Sequence, residues 1–191
     1  ILIVAEHRSG KLNPASWEAV AAGQQMAGES GAAGAKVLLL GSDVTEAAAE
    51  LALAGVAGVL TVDHPLLDPY TPEGYVQAVA AVLAETEPEW VVLPHTYRTR
   101  DFAPKLAARL GRSLLTDCTA VRRSGEGLSL VRPMFQGKLV ADGVPAGDPP
   151  YFVTLQIGAF RADAAARASA PVPISAMSVS FDASAIRVRP E

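Results

Sequence analysis

The sequence predicts a three-layer α/β fold: a mostly parallel sheet with helices on both faces and an antiparallel extension after residue 112. Three observations carry that reading. Short apolar runs, ILIVA (1–5), KVLLL (36–40), VAGVLTV (56–62) and WVVL (90–93), alternate with stretches that open on helix caps. The spacing leaves room for a crossover helix between successive runs, which parallel pairing requires. From Leu114 onward, apolar runs follow one another with only short polar turns between them, as in a meander.

Taken in order, residues 1–5 form the first strand, and Glu6-His7-Arg8-Ser9-Gly10 a polar loop. Asn13-Pro14 supplies an N-cap and a first-turn proline for a helix through about Ala27. A Gly/Ala/Ser connection at 29–34 leads to the second strand. Asp43 and Glu46 have the spacing of a capping box for a helix ending near Gly55. The third strand ends before a two-proline loop, 63–70, and Thr71-Pro72 caps a helix to about Glu85.

The densest polar cluster, His95-Thr96-Tyr97-Arg98-Thr99-Arg100-Asp101, lies at the carboxyl end of the fourth strand, where open α/β sheets place their working groups. Pro94 is expected to stop that strand. Asp101 reads as an N-cap or first-turn anion, with Pro104 early in the helix, Phe102, Leu106 and Leu110 on its apolar face, and Gly111 closing it. Two readings of this cluster stay open: a solvated turn, or a contact surface for a partner made of His95, Arg98, Arg100 and Asp101, joined by Arg132 and Gln136. Beyond Gly111, residues 114–121, 128–135 and 138–143 read as antiparallel strands. Residues 151–157 return to the main sheet, 162–170 form an exposed loop or short helix, and 174–181 add a last strand. One domain, 1–186, is expected, with 187–191 opening a linker.

Half of the 191 residues are hydrophobic, enough for a large core, and the net charge of −4 argues against a nucleic-acid backbone as partner. The single cysteine, Cys118, excludes an internal disulfide and any multi-cysteine metal site. No apolar run approaches the roughly 18–20 residues that a membrane-spanning helix needs. The expected compartment is reducing: bacterial cytoplasm, or mitochondrial matrix if a transit peptide was removed.

Familiar catalytic patterns are missing. EHRSGKLNP after the first strand is neither of the glycine-rich phosphate loops, and no nucleophile elbow occurs. His7, His64 and His95 make no metal-binding pair, and Cys118 reads as a buried, inert thiol.

The order of motifs adds what single motifs do not. ILIVAEHRSGKLNPAS, VDHPLLDPYTPEGYVQAVAAVL, VLPHTYRTRDFAPKLAARLGRSLLTDCTAV and LVRPMFQGKLVADGV are collinear with, and resemble, the amino-terminal domain of the electron transfer flavoprotein alpha subunit. The resemblance runs from Ile1 to about Phe160. Phe135 and Lys138 depart from the family's Arg-Pro-x-Tyr-x-Gly-Asn turn. It implies a Rossmann-like fold of the adenine nucleotide alpha hydrolase type. It also implies a heterodimer with a beta subunit, carrying FAD held mainly by a carboxy-terminal domain that this sequence lacks, with AMP in the beta subunit. Such a protein takes electrons from acyl-CoA and other dehydrogenases, as in fatty acid beta-oxidation, and passes them to a quinone oxidoreductase.

On that resemblance the chain is a non-catalytic scaffold and subunit-docking domain of an electron carrier, with no catalytic, cofactor or metal residue of its own. It should expose an apolar face to its partner. The alternative is an adenine-nucleotide-binding module whose site, near His7, Ser42, His64 and His95, would lie at the carboxyl ends of the strands.

Overall fold

In the computed structural model, which describes residues 1–125 and 127–188, the apolar runs pair as parallel strands. The central sheet contains β1 (Leu2–Ala5), β4 (Lys36–Gly41), β5 (Gly58–Asp63), β6 (Trp90–Pro94), β7 (Leu114–Cys118), β11 (Tyr151–Leu155) and β12 (Ile174–Ala176). Their order is β12-β5-β4-β1-β6-β11-β7, and every pairing is parallel. A ribbon of β2 (His7–Arg8) and β3 (Lys11–Leu12) follows β1, and β8 (Ala120–Ser124), β9 (Gly127–Met134) and β10 (Leu139–Gly143) form a separate antiparallel sheet. This is the three-layer, Rossmann-like arrangement expected, with its extension.

The strands are buried on both faces because side chains two residues apart share a face and both sets are apolar. Ile3, Val37, Leu39, Val59, Val92 and Val153 meet helices α1 (Pro14–Ser30) and α2 (Thr45–Leu51). Leu2, Val4, Leu38, Leu40, Val91 and Phe152 meet α3 (Pro72–Thr86) and α4 (Tyr97–Leu110). Between β1 and β6 the chain's progress across the sheet reverses, which opens a crevice at the carboxyl ends.

The expected caps hold at two helices. Asn13 Oδ1 accepts from the Ala15 N–H at 3.1 Å, and Thr71 Oγ1 from the Gly74 N–H at 3.2 Å. At α2 the capping box does not form. Asp43 takes a left-handed φ of 57°, and the carboxylate of Asp63, at the end of β5, accepts from the N–H groups of Asp43 and Val44 at 2.9 and 3.3 Å. A residue from the adjacent strand thus replaces the local cap.

The start of α4 is also corrected. Its N-cap is Thr96, whose Oγ1 accepts from the Thr99 N–H at 3.1 Å, so Arg98, Arg100 and Asp101 are helical residues and no turn intervenes. Pro104 therefore sits in the helix interior. It faces solvent, where water can serve the Arg100 carbonyl that it leaves unbonded. Gly111 closes the helix in the left-handed conformation, as expected.

The run 114–121 is divided between two sheets. Asp117, with φ at 59°, turns the chain out of β7 before Thr119 bonds to Val131. The last expected strand shortens to β12. After it Met177, Val179 and Phe181 pack onto the α3 side, while Ala168 and Val172 before it bond to Leu53 and Ala52. Residues 162–170 open with a short 3-10 turn and continue as a strap, in which the Arg167 guanidinium lies 3.6 Å from the centre of the Trp17 ring. The expected linker, 187–191, falls largely outside the described residues.

Candidate functional site at the carboxyl ends of the strands

Glu6 leaves β1 at the reversal point and is only 6 % exposed. Its Oε1 accepts from Thr96 Oγ1 at 2.6 Å and Thr99 Oγ1 at 3.0 Å, and Oε2 from Asn13 Nδ2 at 3.4 Å. Its backbone N–H and C=O both bond to the Ser16 hydroxyl. One side chain therefore ties the amino ends of α1 and α4 to the sheet. Both helix dipoles favour a carboxylate there. Sequence reading placed Glu6 in a polar loop and missed this role. The available signal was an acid directly after an apolar strand, with Asn and Thr caps ahead of both neighbouring helices.

The next residue, His7, is 7 % exposed, and its Nε2 bonds to the Leu40 carbonyl at 3.1 Å. A carbonyl only accepts, so Nε2 carries the proton and Nδ1 is a bare acceptor. Nδ1 is buried and has no partner among the described residues. Burial lowers the His7 pKa, opposed by the Leu40 bond, so the ring is neutral near pH 7. Arg98 lies across this region: Nη1 donates to the His7 carbonyl at 3.2 Å and to Tyr75 Oη at 3.1 Å. Its guanidinium stacks 5.2 and 5.3 Å from the centres of the Tyr70 and Tyr75 rings. Tyr75 donates to the Leu40 carbonyl at 3.2 Å, and burial pushes its hydroxyl up to about 12. Tyr70, pushed above its ordinary value by burial and by Asp101, donates to Asp101 Oδ2 at 3.0 Å.

A second cluster surrounds His95. The Thr154 hydroxyl accepts from the Asp117 N–H at 3.0 Å and lies 2.7 Å from His95 Nδ1. His95 Nε2 lies 3.9 Å from Asp117 Oδ1. Burial lowers the His95 pKa; Asp117 opposes the shift, and Arg100 and Arg132 add to it. Cys118 is fully buried beside this cluster, and burial pushes its thiol up to about 12.

The six residues read from sequence as one surface thus separate. His95, Arg100 and Arg132 share one electrostatic neighbourhood. Arg98 turns inward. Asp101 pairs with Lys105 at 3.8 Å and with Tyr70. Gln136 lies at the tip of the β9–β10 hairpin, where it and Phe135 both have positive φ. That hairpin exposes Phe135 (69 %), Leu139, Val140 (66 %) and, just beyond it, Val144 (65 %). The residues of the nucleotide alternative also divide. His7 and Ser42 share a crevice, His95 lines another, and His64 accepts from the Leu66 N–H and stacks on Phe181.

The amino end of α1 does not suit a dinucleotide phosphate, because Asn13 already caps it and the preceding ribbon replaces a glycine-rich turn. Among the described residues no group of three or more His, Cys, Asp or Glu side chains could hold a metal ion, and no helix is long and apolar enough to cross a membrane.

Residues 1–182 match the electron transfer flavoprotein domain. The chain belongs to that family. It is 35% identical over 156 residues to the electron transfer flavoprotein subunit alpha of Bacillus subtilis, covering 82% of this chain and 47% of that protein. Against the same subunit of Thermoanaerobacterium thermosaccharolyticum the figures are 34% over 162 residues, 84% and 49%. It is also 29% identical over 163 residues to the lactate dehydrogenase (NAD(+),ferredoxin) subunit LctC of Acetobacterium woodii, covering 85% and 39%. The chain spans about half the length, or less, of these curated relatives.

Proposed function

We propose that the chain is the amino-terminal scaffold and subunit-docking domain of a heterodimeric, FAD-containing electron transfer flavoprotein. The whole protein carries electrons from acyl-CoA and other dehydrogenases to a quinone oxidoreductase, and this domain does no chemistry of its own. The observation that carries the reading is the family match over residues 1–182 in a chain half as long as its alpha-subunit relatives. The structure supports it in two ways. Both faces of the sheet are filled by the chain's own helices, so the fold is complete as a scaffold. The exposed apolar side chains on and just after the β9–β10 hairpin give a beta subunit something to cover. Arg132 and Gln136 belong to the hairpin itself, and His95 and Arg100, which share the electrostatic neighbourhood of Arg132, add polar groups beside it.

When bound in the complete protein, FAD supplies one- and two-electron chemistry, and this domain's part is to seat the neighbouring domain that holds it. AMP is assigned to the beta subunit. The test is the visible absorbance of the full-length polypeptide, purified with and without its beta subunit, beside residues 1–191 alone. Flavin bands are expected only where the carboxy-terminal half is present. Stoichiometric flavin on residues 1–191 alone would overturn the assignment.

A further inference from the structure

We infer that the crevice over the carboxyl ends of β1 and β4 binds a small oxyanion that carries its own hydroxyl group, the class to which phosphomonoesters of small polyols belong. The crevice has a volume of about 350 Å3, and its lining includes His7, Ser42, Asp68, Tyr70, Tyr75 and Arg98. That volume suits a small metabolite.

Arg98 points to the anion. It is half-buried, and among the described residues no carboxylate lies within 4.0 Å of its guanidinium. A cation withdrawn from water ordinarily has such a partner. Both of its hydrogen bonds within the chain leave from Nη1, and two tyrosine rings fix its plane. Nε and Nη2 make no hydrogen bond among the described residues. The edge left over is a rigid fork of the shape that phosphate and carboxylate oxygens accept in pairs.

The hydroxyl follows from the acceptors beside it. His7 lines the crevice, its ring is neutral near pH 7, and its Nδ1 is buried with no hydrogen-bond partner among the described residues. Asp68, an exposed carboxylate, lines the same space and its side chain makes no hydrogen bond among the described residues. A plain oxyanion would satisfy Arg98 and leave the buried His7 Nδ1 without a donor. A ligand that brings an anionic group and a donor satisfies both sides. Ser42, directly after β4, also lines the crevice and carries a hydroxyl that can serve either part.

The experiment is calorimetric titration of the protein with glycerol 3-phosphate, with inorganic phosphate and glycerol as probes of each half alone. Saturable one-to-one binding of glycerol 3-phosphate is expected, weaker binding of phosphate, and none of glycerol. The nitrogen resonance of His7 Nδ1 should move with glycerol 3-phosphate and stay in place with phosphate. Arg98→Met should abolish binding, but it also removes two internal hydrogen bonds. Ser42→Asp is therefore the decisive variant, placing a like charge at the rim without touching the core. It should weaken glycerol 3-phosphate at least about tenfold with an unchanged melting temperature. Absence of saturable binding, equal affinity in Ser42→Asp, or a His7 resonance that ignores the ligand would each overturn the inference.

Discussion

Removing the Glu6 carboxylate should loosen the fold at the point where both helix layers meet the sheet. Glu6→Ala leaves the Thr96 and Thr99 hydroxyls, which donate to Glu6 Oε1 at 2.6 and 3.0 Å, without their acceptor. Hydrogen bonds to a charged group contribute about 1.5–3 kcal/mol each, so these two alone amount to about 3–6 kcal/mol. The Asn13 contact, at 3.4 Å, adds little. Against this stands the relief of no longer burying a carboxylate that has no cation within 4.0 Å among the described residues. Two helix amino ends already offset part of that penalty. The net loss for Glu6→Ala should be about 3–4 kcal/mol, equal to a melting-temperature drop of about 6–16 °C for a chain of this size. Glu6→Gln keeps one acceptor oxygen for the threonines and should lose only about 1–2 kcal/mol. Urea unfolding followed by far-UV circular dichroism measures both, and Thr99→Val completes a double-mutant cycle with Glu6→Ala. A Glu6→Ala loss under about 1 kcal/mol, or strict additivity with Thr99→Val, would refute the view that this carboxylate holds the helix ends.

Other consequences are independent of Glu6. Gly41→Ala should unfold or strongly destabilise the protein, since a Cβ there would fall on the His7 ring; thermal melts check this. Cys118, buried with its thiol pushed up to about 12, should react with iodoacetamide at pH 8 only as fast as the protein unfolds, so labelling rates should rise with urea. His7 and His95 both have folded-state pKa values below their ordinary 6.5, so the unfolded chain takes up protons first as pH falls. Stability should therefore be highest above about pH 7 and decline as pH drops through about 6.5 towards the depressed folded values, and His95→Asn should flatten that profile. Arg98→Glu should lower the melting temperature because it breaks contacts to His7 and Tyr75, whereas Arg100→Glu should leave it within about 1 °C and weaken only beta-subunit binding.

The fold was legible where a local signal governed a local outcome. Asn13-Pro14 and Thr71-Pro72 announced their helices, and alternating β-branched runs announced a sheet buried on both faces. What failed were places where a distant residue supplied the partner. Asp63 caps α2 from the neighbouring strand, which no spacing within residues 43–46 reveals. Thr96 outcompetes Asp101 as the cap of α4 because Glu6, ninety residues away, accepts its hydroxyl proton. The strand run ending at 121 looked continuous because Asp117's left-handed turn is fixed by Thr154 and Gln156 on β11 and just after it. The candidate surface divided for the same reason. Arg98 and Arg100 are two apart in sequence, but on a helix they point to different sides, one to the Tyr70–Tyr75 pair and the other to solvent.

The docking assignment is tested most directly on the hairpin. The full-length polypeptide bearing Phe135→Asp and Val140→Asp, both on exposed positions, should be co-expressed with a beta subunit and the complex measured by sedimentation velocity. The expected result is loss of the heterodimer, with the variant's own melting temperature unchanged and wild-type chain assembling fully under the same conditions. A heterodimer that forms as tightly with the charged hairpin as without it would contradict the account.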